Sequence, residues 1–229
     1  MRKTRLIPIQ LLLLLLIGNS VAAQQLVHYW TFNDNSSVAN LLTPRISLVT
    51  GASVTHIAGG TSVIDAAGGT GQNFSITNPN IRNADTSGTH LRFNTPIGGE
   101  LVFALPTTGY KDPVVKFATR RSGSGAGLQY WAYTTDGTNY VPFDTISPVD
   151  NDPVLETLDF SAVTAADNNP SFKIKVSFAA GSGGTGGNNR FDNFTLDANT
   201  LPVPALVHYW NFNNNSTVTN LLTPDVSLV

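Results

Sequence analysis

Residues 172–178 read Phe-Lys-Ile-Lys-Val-Ser-Phe. Phe172, Ile174, Val176 and Phe178 fall on one side of an extended chain, and Lys173, Lys175 and Ser177 on the other. This period of two marks a strand that covers a core with one face and meets water with the other, the pattern of an antiparallel sheet. Downstream, the glycine-rich residues 181–187 make a loop and residues 190–196 a closing strand. Upstream, residues 155–160 read as another strand, and residues 128–143, LQYWAYTTDGTNYVPF, as a hairpin. Asp136-Gly137 sits at its tip because tight hairpin turns need positive backbone dihedrals, and Thr138 leaves room for a loop longer than two residues.

The same logic extends toward the N-terminus. Residues 89–94, 100–105 and 114–121 are strands; in the middle one Leu101, Phe103 and Leu105 share a face. Residues 51–88 are rich in Gly, Thr, Ser and Asn, with weaker extended candidates at 53–57, 61–64 and 74–77. Residues 26–33 alternate with Leu26, His28, Trp30 and Phe32 on one face, and residues 46–49 follow as a second strand. No stretch beyond the N-terminal leader keeps a helical period. Roughly a dozen short strands separated by turn residues predict an all-β fold, a jelly-roll-type β-sandwich.

The opening strand and its turn occur twice. Residues 26–49, LVHYWTFNDNSSVANLLTPRISLV, and 206–229, LVHYWNFNNNSTVTNLLTPDVSLV, differ at six of 24 positions. An offset of 180 residues is the size of a domain rather than of a solenoid repeat. Ahead of the first copy, Arg2, Lys3 and Arg5 precede the apolar run LIPIQLLLLLLIG and the small-residue pattern Val21-Ala22-Ala23, the plan of a secretory signal peptide. The expected organisation is therefore a signal peptide at 1–23, a β-sandwich domain at 24–197, a Pro-containing linker at 198–205 and the truncated start of a repeated domain at 206–229.

Composition narrows the partners. Loss of the three leader cations takes the formal net charge from −2 to −5, with no basic tract left, which excludes nucleic acid and anionic membrane as obvious partners. Charged residues make up 12% of the chain, about half the usual ~25%, so uncharged polar groups cover much of the surface. Cysteine is absent, so the core must hold the domain without disulfides.

Motifs for catalysis are missing: there is no His-Glu-x-x-His, no Gly-x-Ser-x-Gly, no Walker loop and no cysteine nucleophile. The four histidines show no metal-ligand spacing, and His28, His56 and His90 read as structural or isolated. Oxygen-rich clusters at 33–35, 150–152, 167–169 and 188–193 supply the hard ligands calcium takes, and equally make the Asx turns that begin loops. Asp192 departs from that second reading. By strict alternation it shares a side with Phe194 and Leu196, and a carboxylate pointing into a core needs a cation, an arginine or several N–H donors. The sequence thus predicts that Asp192, with Asn33 and Asp34 from the turn after the first strand, ties the last strand to the first, with or without a structural Ca²⁺.

Aromatic residues give the other lead. Trp131 and Tyr133 share one face of the hairpin strand, Tyr130 lies on the opposite face, and Tyr140 stands across the turn. The first pair is either a platform for the apolar C–H faces of sugar rings or simply the core face. On the platform reading, Trp131, Tyr133 and Tyr140, with Arg120 and Arg121, form the ligand site.

Two of these stretches resemble a known class. Residues 133–140, Tyr-Thr-Thr-Asp-Gly-Thr-Asn-Tyr, are similar to the hairpin of bacterial extracellular β-sandwich modules, and residues 189–196, Asn-Arg-Phe-Asp-Asn-Phe-Thr-Leu, to their last strand. These are jelly-roll domains, galactose-binding-like or concanavalin-like, of large secreted proteins that end in a sorting domain. The resemblance implies a secreted, non-catalytic binding or adhesion module, extracellular or on the cell surface, repeated in tandem and binding a polysaccharide or cell-surface glycan. Two other readings stay open: a structural spacer, or an accessory domain of a secreted hydrolase such as a nuclease, phosphatase or glycosidase.

Overall fold

The computed structural model describes residues 23–65, 74, 79–85, 89–202, 208–209 and 226–227. The leader and most of the second copy of the repeat lie outside these residues. Strands β1 (Gln25–Trp30), β2 (Ile46–Ser47), β3 (Ser53–Ile57), β4 (Val63–Asp65), β5 (Leu91–Asn94) and β6 (Glu100–Ala104) are followed by β7 (Tyr110–Arg121), β8 (Leu128–Thr134), β9 (Val141–Ile146), β10 (Val154–Asp159), β11 (Lys173–Ala179) and β12 (Asn188–Thr200). β13 (His208–Tyr209) and β14 (Val226–Ser227) pair with each other. One helical turn, Val38–Leu41, not foreseen in the sequence, forms because the Ser37 side chain accepts the Asn40 N–H and Leu41 is buried.

The strands make two antiparallel sheets. The first has seven strands, in the order β10-β7-β12-β1-β2 with β5 also on β12 and β4 on β5, and the second runs β3-β6-β11-β8-β9. β8 pairs with β9, β7 with β10, β6 with β11 and β5 with β12. These nested pairs alternate between the sheets, which is the jelly-roll plan. β12 runs to Thr200, so residues 198–200 are strand rather than linker. One flank of β12 follows β7 along its length; the other meets β5 over residues 188–191 and β1 over residues 194–198.

Alternation fills the space between the sheets with aromatics. Phe103 from β6 stacks on Phe194 from β12 at 4.1 Å and 7°, Phe117 from β7 lies 5.5 Å from Phe194, and Trp131 from β8 lies 4.8 Å from Phe117. All four are buried. A polar thread crosses the same layer: Trp131 Nε1 donates to Gln129 Oε1 (3.3 Å), Gln129 Nε2 to Thr119 Oγ1 (3.1 Å), and Thr119 Oγ1 to the Arg190 carbonyl (2.9 Å). Most buried polar groups are satisfied in this way.

Two irregularities change which residues face inward. A register shift between Leu26 and His28 sends Val27 rather than Leu26 into the core, while His28 is held by Pro106 O and Ser47 Oγ. In β12 the ladder to β7 shifts between Asp192 and Thr195, and Asn193 has φ 48°. A bulge inserts one residue and resets the alternation. Phe191 and Phe194 therefore both enter the core, and Asp192 does not share their side. It faces the outer surface of the first sheet, which corrects the coreward placement expected from strict alternation.

That outer surface is covered. Asn80 Nδ2 donates to the carbonyls of Lys116 (3.1 Å) and Asn193 (2.7 Å) and to Thr195 Oγ1 (3.1 Å). Tyr29 OH donates to Asn193 Oδ1 (2.7 Å) and accepts from the Arg82 N–H (3.3 Å), and Arg82 pairs with Asp197 at 3.1 Å. Residues 79–85 are thus laid over the first sheet. The second sheet is different: on its outer face Thr55, Ile57, Glu100, Val102, Lys175, Ser177, Tyr130 and Ala132 are half-buried or exposed.

Candidate functional site

Trp131, expected as half of an aromatic platform, is only 2% exposed and its ring is part of the core, so it is no open platform for a sugar ring. Tyr133 shares its side of β8 and packs edge-on against Phe143 (5.7 Å) and Phe160 (5.6 Å). Parity along β8 then turns Tyr130 outward, and that ring is 44% exposed. The residue left out of the expected site is the aromatic that reaches solvent.

Register places Tyr130 in a row. Ile57, Glu100, Ser177, Tyr130 and Thr145 are successive cross-strand partners on β3, β6, β11, β8 and β9. A shallow depression of about 380 Å³ beside it is lined by Tyr130, Trp131, Pro142, Phe143, Asp144 and Thr145. In the next row Lys175 pairs with Glu100 at 2.9 Å and lies over the Tyr140 ring at 4.7 Å. Tyr140, one of the expected residues, therefore borders this face. The hairpin below it is fixed by Asp136, whose carboxylate accepts the N–H groups of Thr138 and Asn139 and the side chains of Thr134 and Asn139. Those bonds hold its pKa well below the usual range, and Gly137 supplies the positive φ, 83°, that the turn requires.

Arg121 spends its guanidinium on loop carbonyls, at Pro148 (3.1 Å), Ser122 (3.1 Å) and Gly123 (2.9 Å), with Asp150 at 3.6 Å. Arg120 lies on the first sheet and donates to Asp150 O at 2.6 Å. Neither belongs to the Tyr130 face, so the structure divides the expected ligand set.

The expected metal residues divide as well. Asp34 is exposed and accepts from the Ser36 N–H and hydroxyl within its own turn; those bonds lower its pKa, and with Asn33 it lines a surface cavity of about 550 Å³. Asn33 turns inward: its Nδ2 donates to Asp85 Oδ2 at 2.6 Å and its Oδ1 accepts from Thr89 Oγ1 at 3.1 Å. Asp192 is 1% exposed, Oδ1 accepts the Asn193 N–H at 2.8 Å, and Oδ2 has no partner. Burial, and then the charge of Asp85, push its pKa well up. Asp85 thus stands between Asn33 and Asp192, a link the sequence reading missed because Asp85 lies in a stretch with no strand pattern. Among the described residues no group of three or more His, Cys, Asp or Glu is placed to hold a metal ion. A cation here would draw on two carboxylates completed by amide and carbonyl oxygens, a donor set that suits calcium.

No family model and no curated protein sequence matches the chain. Among solved structures, it is similar to the CBM22-1–GH10 modules of the Clostridium thermocellum N-terminal endo-1,4-beta-D-xylanase 10B complexed with xylohexaose, at 11% identity and TM-score 0.45, over 82% of this chain and 32% of that one. It is similar also to the CBM22-1–CBM22-2 tandem domain of Paenibacillus barcinonensis Xyn10C, at 9% identity and TM-score 0.46, over 84% of this chain and 51% of that one. A third is a xylan-binding module, CBM15, at 16% identity and TM-score 0.38, over 66% of this chain and all of that one. The chain thus spans about a third of the first of these and half of the second.

Proposed function

We propose that this protein is a secreted, non-catalytic module that binds polysaccharide on the outer face of its second sheet. The observation that carries the reading is Tyr130, an exposed ring on a sheet face with no covering layer of described residues, set in a cross-strand row with Ser177, Glu100 and Thr145. A sugar ring is apolar on its C–H faces and polar at its rim; a flat aromatic with hydroxyl and carboxylate groups beside it matches both. Export rests on the 1–23 leader, and repetition in tandem on the second copy at 206–229. Linked copies would gain avidity through effective concentration. Asp192, Asp85 and Asn33 hold a structural calcium ion, which offsets the charge of the buried Asp192 carboxylate and of the half-buried Asp85 beside it and fixes the bulge of β12 under residues 79–85.

The test is affinity electrophoresis of the chain, without its leader, through gels containing xylan, mixed-linkage β-glucan, galactan or a bacterial exopolysaccharide. Retardation by at least one polymer, lost on Tyr130→Ala while the melting temperature stays within about 2 °C, is the expected result. Retardation that survives Tyr130→Ala removes the site, and no retardation by any polymer removes the function. In that event the repeat at 206–229 favours the spacer reading, a string of domains that sets distance rather than affinity.

A further inference from the structure

The connection between β1 and β2 folds around the surface cavity of about 550 Å³, and residues 31–45 supply its whole lining. The cavity shares no residue with the depression beside Tyr130. Its volume falls within the ~300–1,000 Å³ of pockets that take small molecules, and the polysaccharide reading makes no use of it.

Its floor is apolar. Phe32 and Leu41 are buried and Pro44 is half-buried. Phe32 has φ 49°, a backbone conformation that a bulky residue keeps only where its surroundings impose it. The Thr89 hydroxyl donates to the Phe32 carbonyl at 2.9 Å and holds that turn. The rim is polar: Asp34, Asn35, Asn40 and Arg45 line the cavity and are exposed. Ser36 braces two of them, its hydroxyl donating to Asp34 Oδ1 and accepting from Asn40 Nδ2 at 2.9 Å. Arg45 is anchored through its backbone, where its N–H donates to Tyr29 O at 2.8 Å. Its guanidinium, like the Asn35 amide, makes no hydrogen bond or ion pair among the described residues.

The duplicated sequence separates the frame of this cavity from its charge. In the second copy Phe212, Leu221 and Pro224 stand where the first has its floor, and Asn215 and Asn220 repeat the two amides. Of the six differences between the copies, two change charge: Asn214 replaces Asp34 and Asp225 replaces Arg45. Both positions line the cavity. Keeping an apolar and amide framework while exchanging the charges at its edge changes what a site prefers rather than whether it forms.

We propose that the cavity of residues 31–45 is a second binding site, which takes one acidic sugar unit, a uronic acid. The C–H faces of the sugar ring suit the floor of Phe32, Leu41 and Pro44, and its hydroxyls suit the Asp34 carboxylate and the amides of Asn35 and Asn40. Its carboxylate suits Arg45, whose forked N–H donors match two carboxylate oxygens at once. No other residue of the lining is a cation, so Arg45 alone reads the charge of the ligand. A smaller acid would satisfy Arg45 and leave the floor uncovered. The unit comes either as a free sugar or as part of a polymer, and the site does not depend on the Tyr130 face.

The experiment is a ¹H–¹⁵N NMR titration of the full chain without its leader, at matched ionic strength, with sodium galacturonate and with its uncharged counterpart methyl galactoside. Galacturonate should shift the amide resonances of residues 31–45 and the Arg45 Nε–H, and should bind about tenfold or more tighter than methyl galactoside. Arg45→Asp, which gives the first copy the charge of the second, should weaken galacturonate about tenfold and methyl galactoside less than about threefold. That variant keeps the fold, because the exposed Arg45 side chain holds nothing in place. Tyr130→Ala should bind galacturonate as the wild type does. Shifts with galacturonate alone assign the site to the free sugar, and the same shifts with polygalacturonate assign it to units of a chain. Four results overturn the proposal: no shift at residues 31–45, equal affinity for the charged and uncharged sugars, undiminished galacturonate binding by Arg45→Asp, or its loss in Tyr130→Ala.

Discussion

Replacing Trp131 by alanine separates the inner from the outer face of β8. The indole lies against Phe117 at 4.8 Å and Phe103 and Phe191 at 6.2 Å. Truncating a buried aromatic costs about 3–5 kcal/mol. The change also orphans Gln129 Oε1, which otherwise accepts the indole N–H, and adds about 1 kcal/mol or more. Against the roughly 5–15 kcal/mol that holds a domain folded, Trp131→Ala should consume a large share of the stability. Trp131→Phe keeps most of the ring contacts and loses only the polar thread, so it should cost about 1–2 kcal/mol. The neighbouring Tyr130→Ala, on the solvent face, should stay within about 0.5 kcal/mol. Urea unfolding followed by far-UV circular dichroism reads all three. If Trp131→Ala and Tyr130→Ala cost the same, or their order is reversed, the assignment of the two faces of β8 is wrong.

Chelation by EGTA should lower the melting temperature of the wild type by about 5–10 °C when calcium had been present at 100 times its Kd, and should leave Asp192→Asn unmoved; equal melts with and without chelator dispose of the calcium site. For pH, His90 is neutral in the fold because burial, then Arg190, Arg92 and Arg120, lower its pKa from 6.5 to about 3. The folded chain then binds fewer protons than the unfolded chain across that window, and stability falls as pH drops below 6.5, by up to about 1.4 kcal/mol per unit. His28, also lowered by burial, acts in the same direction, and Asp192, raised, acts against it; the difference in slope between wild type and His90→Phe in chloride buffer isolates His90, and identical slopes refute its burial as a neutral ring. Gly59→Ala would drive a Cβ into the backbone carbonyl of Gly98, which cannot turn aside as a side chain would; a loss of about 2 kcal/mol or more is expected in the same unfolding assay, and a neutral result would mean the β3–β4 connection runs elsewhere.

Periodicity in the sequence was enough to find the sandwich. The runs 172–178 and 100–105 commit their faces by alternation alone, and both are strands with the expected apolar side buried. Face assignment failed where one residue breaks the count. Asn tolerates a positive φ, but nothing in the sequence singles out Asn193 as the one in this strand that takes it, so strict alternation carried Asp192 to the wrong side. Trp131 and Tyr130 both belong to runs that alternate in either sense, and only packing against Phe117 settles which is inside. A cross-strand row of arginines on the first sheet was illegible for another reason. Arg92, Arg120 and Arg190 belong to three strands that are distant in sequence, and nothing local announces that register will line them up. His90 looked solitary in the chain for the same reason, although it is fully buried among them.

The nesting of β8–β9 inside β7–β10, β6–β11 and β5–β12 sets an order of events for the chain as it collapses. The hairpin held by Asp136 closes a short loop, and each further pair then has only a small additional loop to close, because the inner pair has already brought its ends together. Assembly can therefore zip outward from the turn at 135–140 rather than search for partners across the whole domain. β1 stands outside this scheme. Its partner on β12 lies almost the full length of the domain away, so its slot opens only after β12 has docked. Until then the upper half of β12 is an unpaired edge that any strand of matching pattern could occupy, including one that begins Leu-Val-His-Tyr-Trp, as residues 206–210 do.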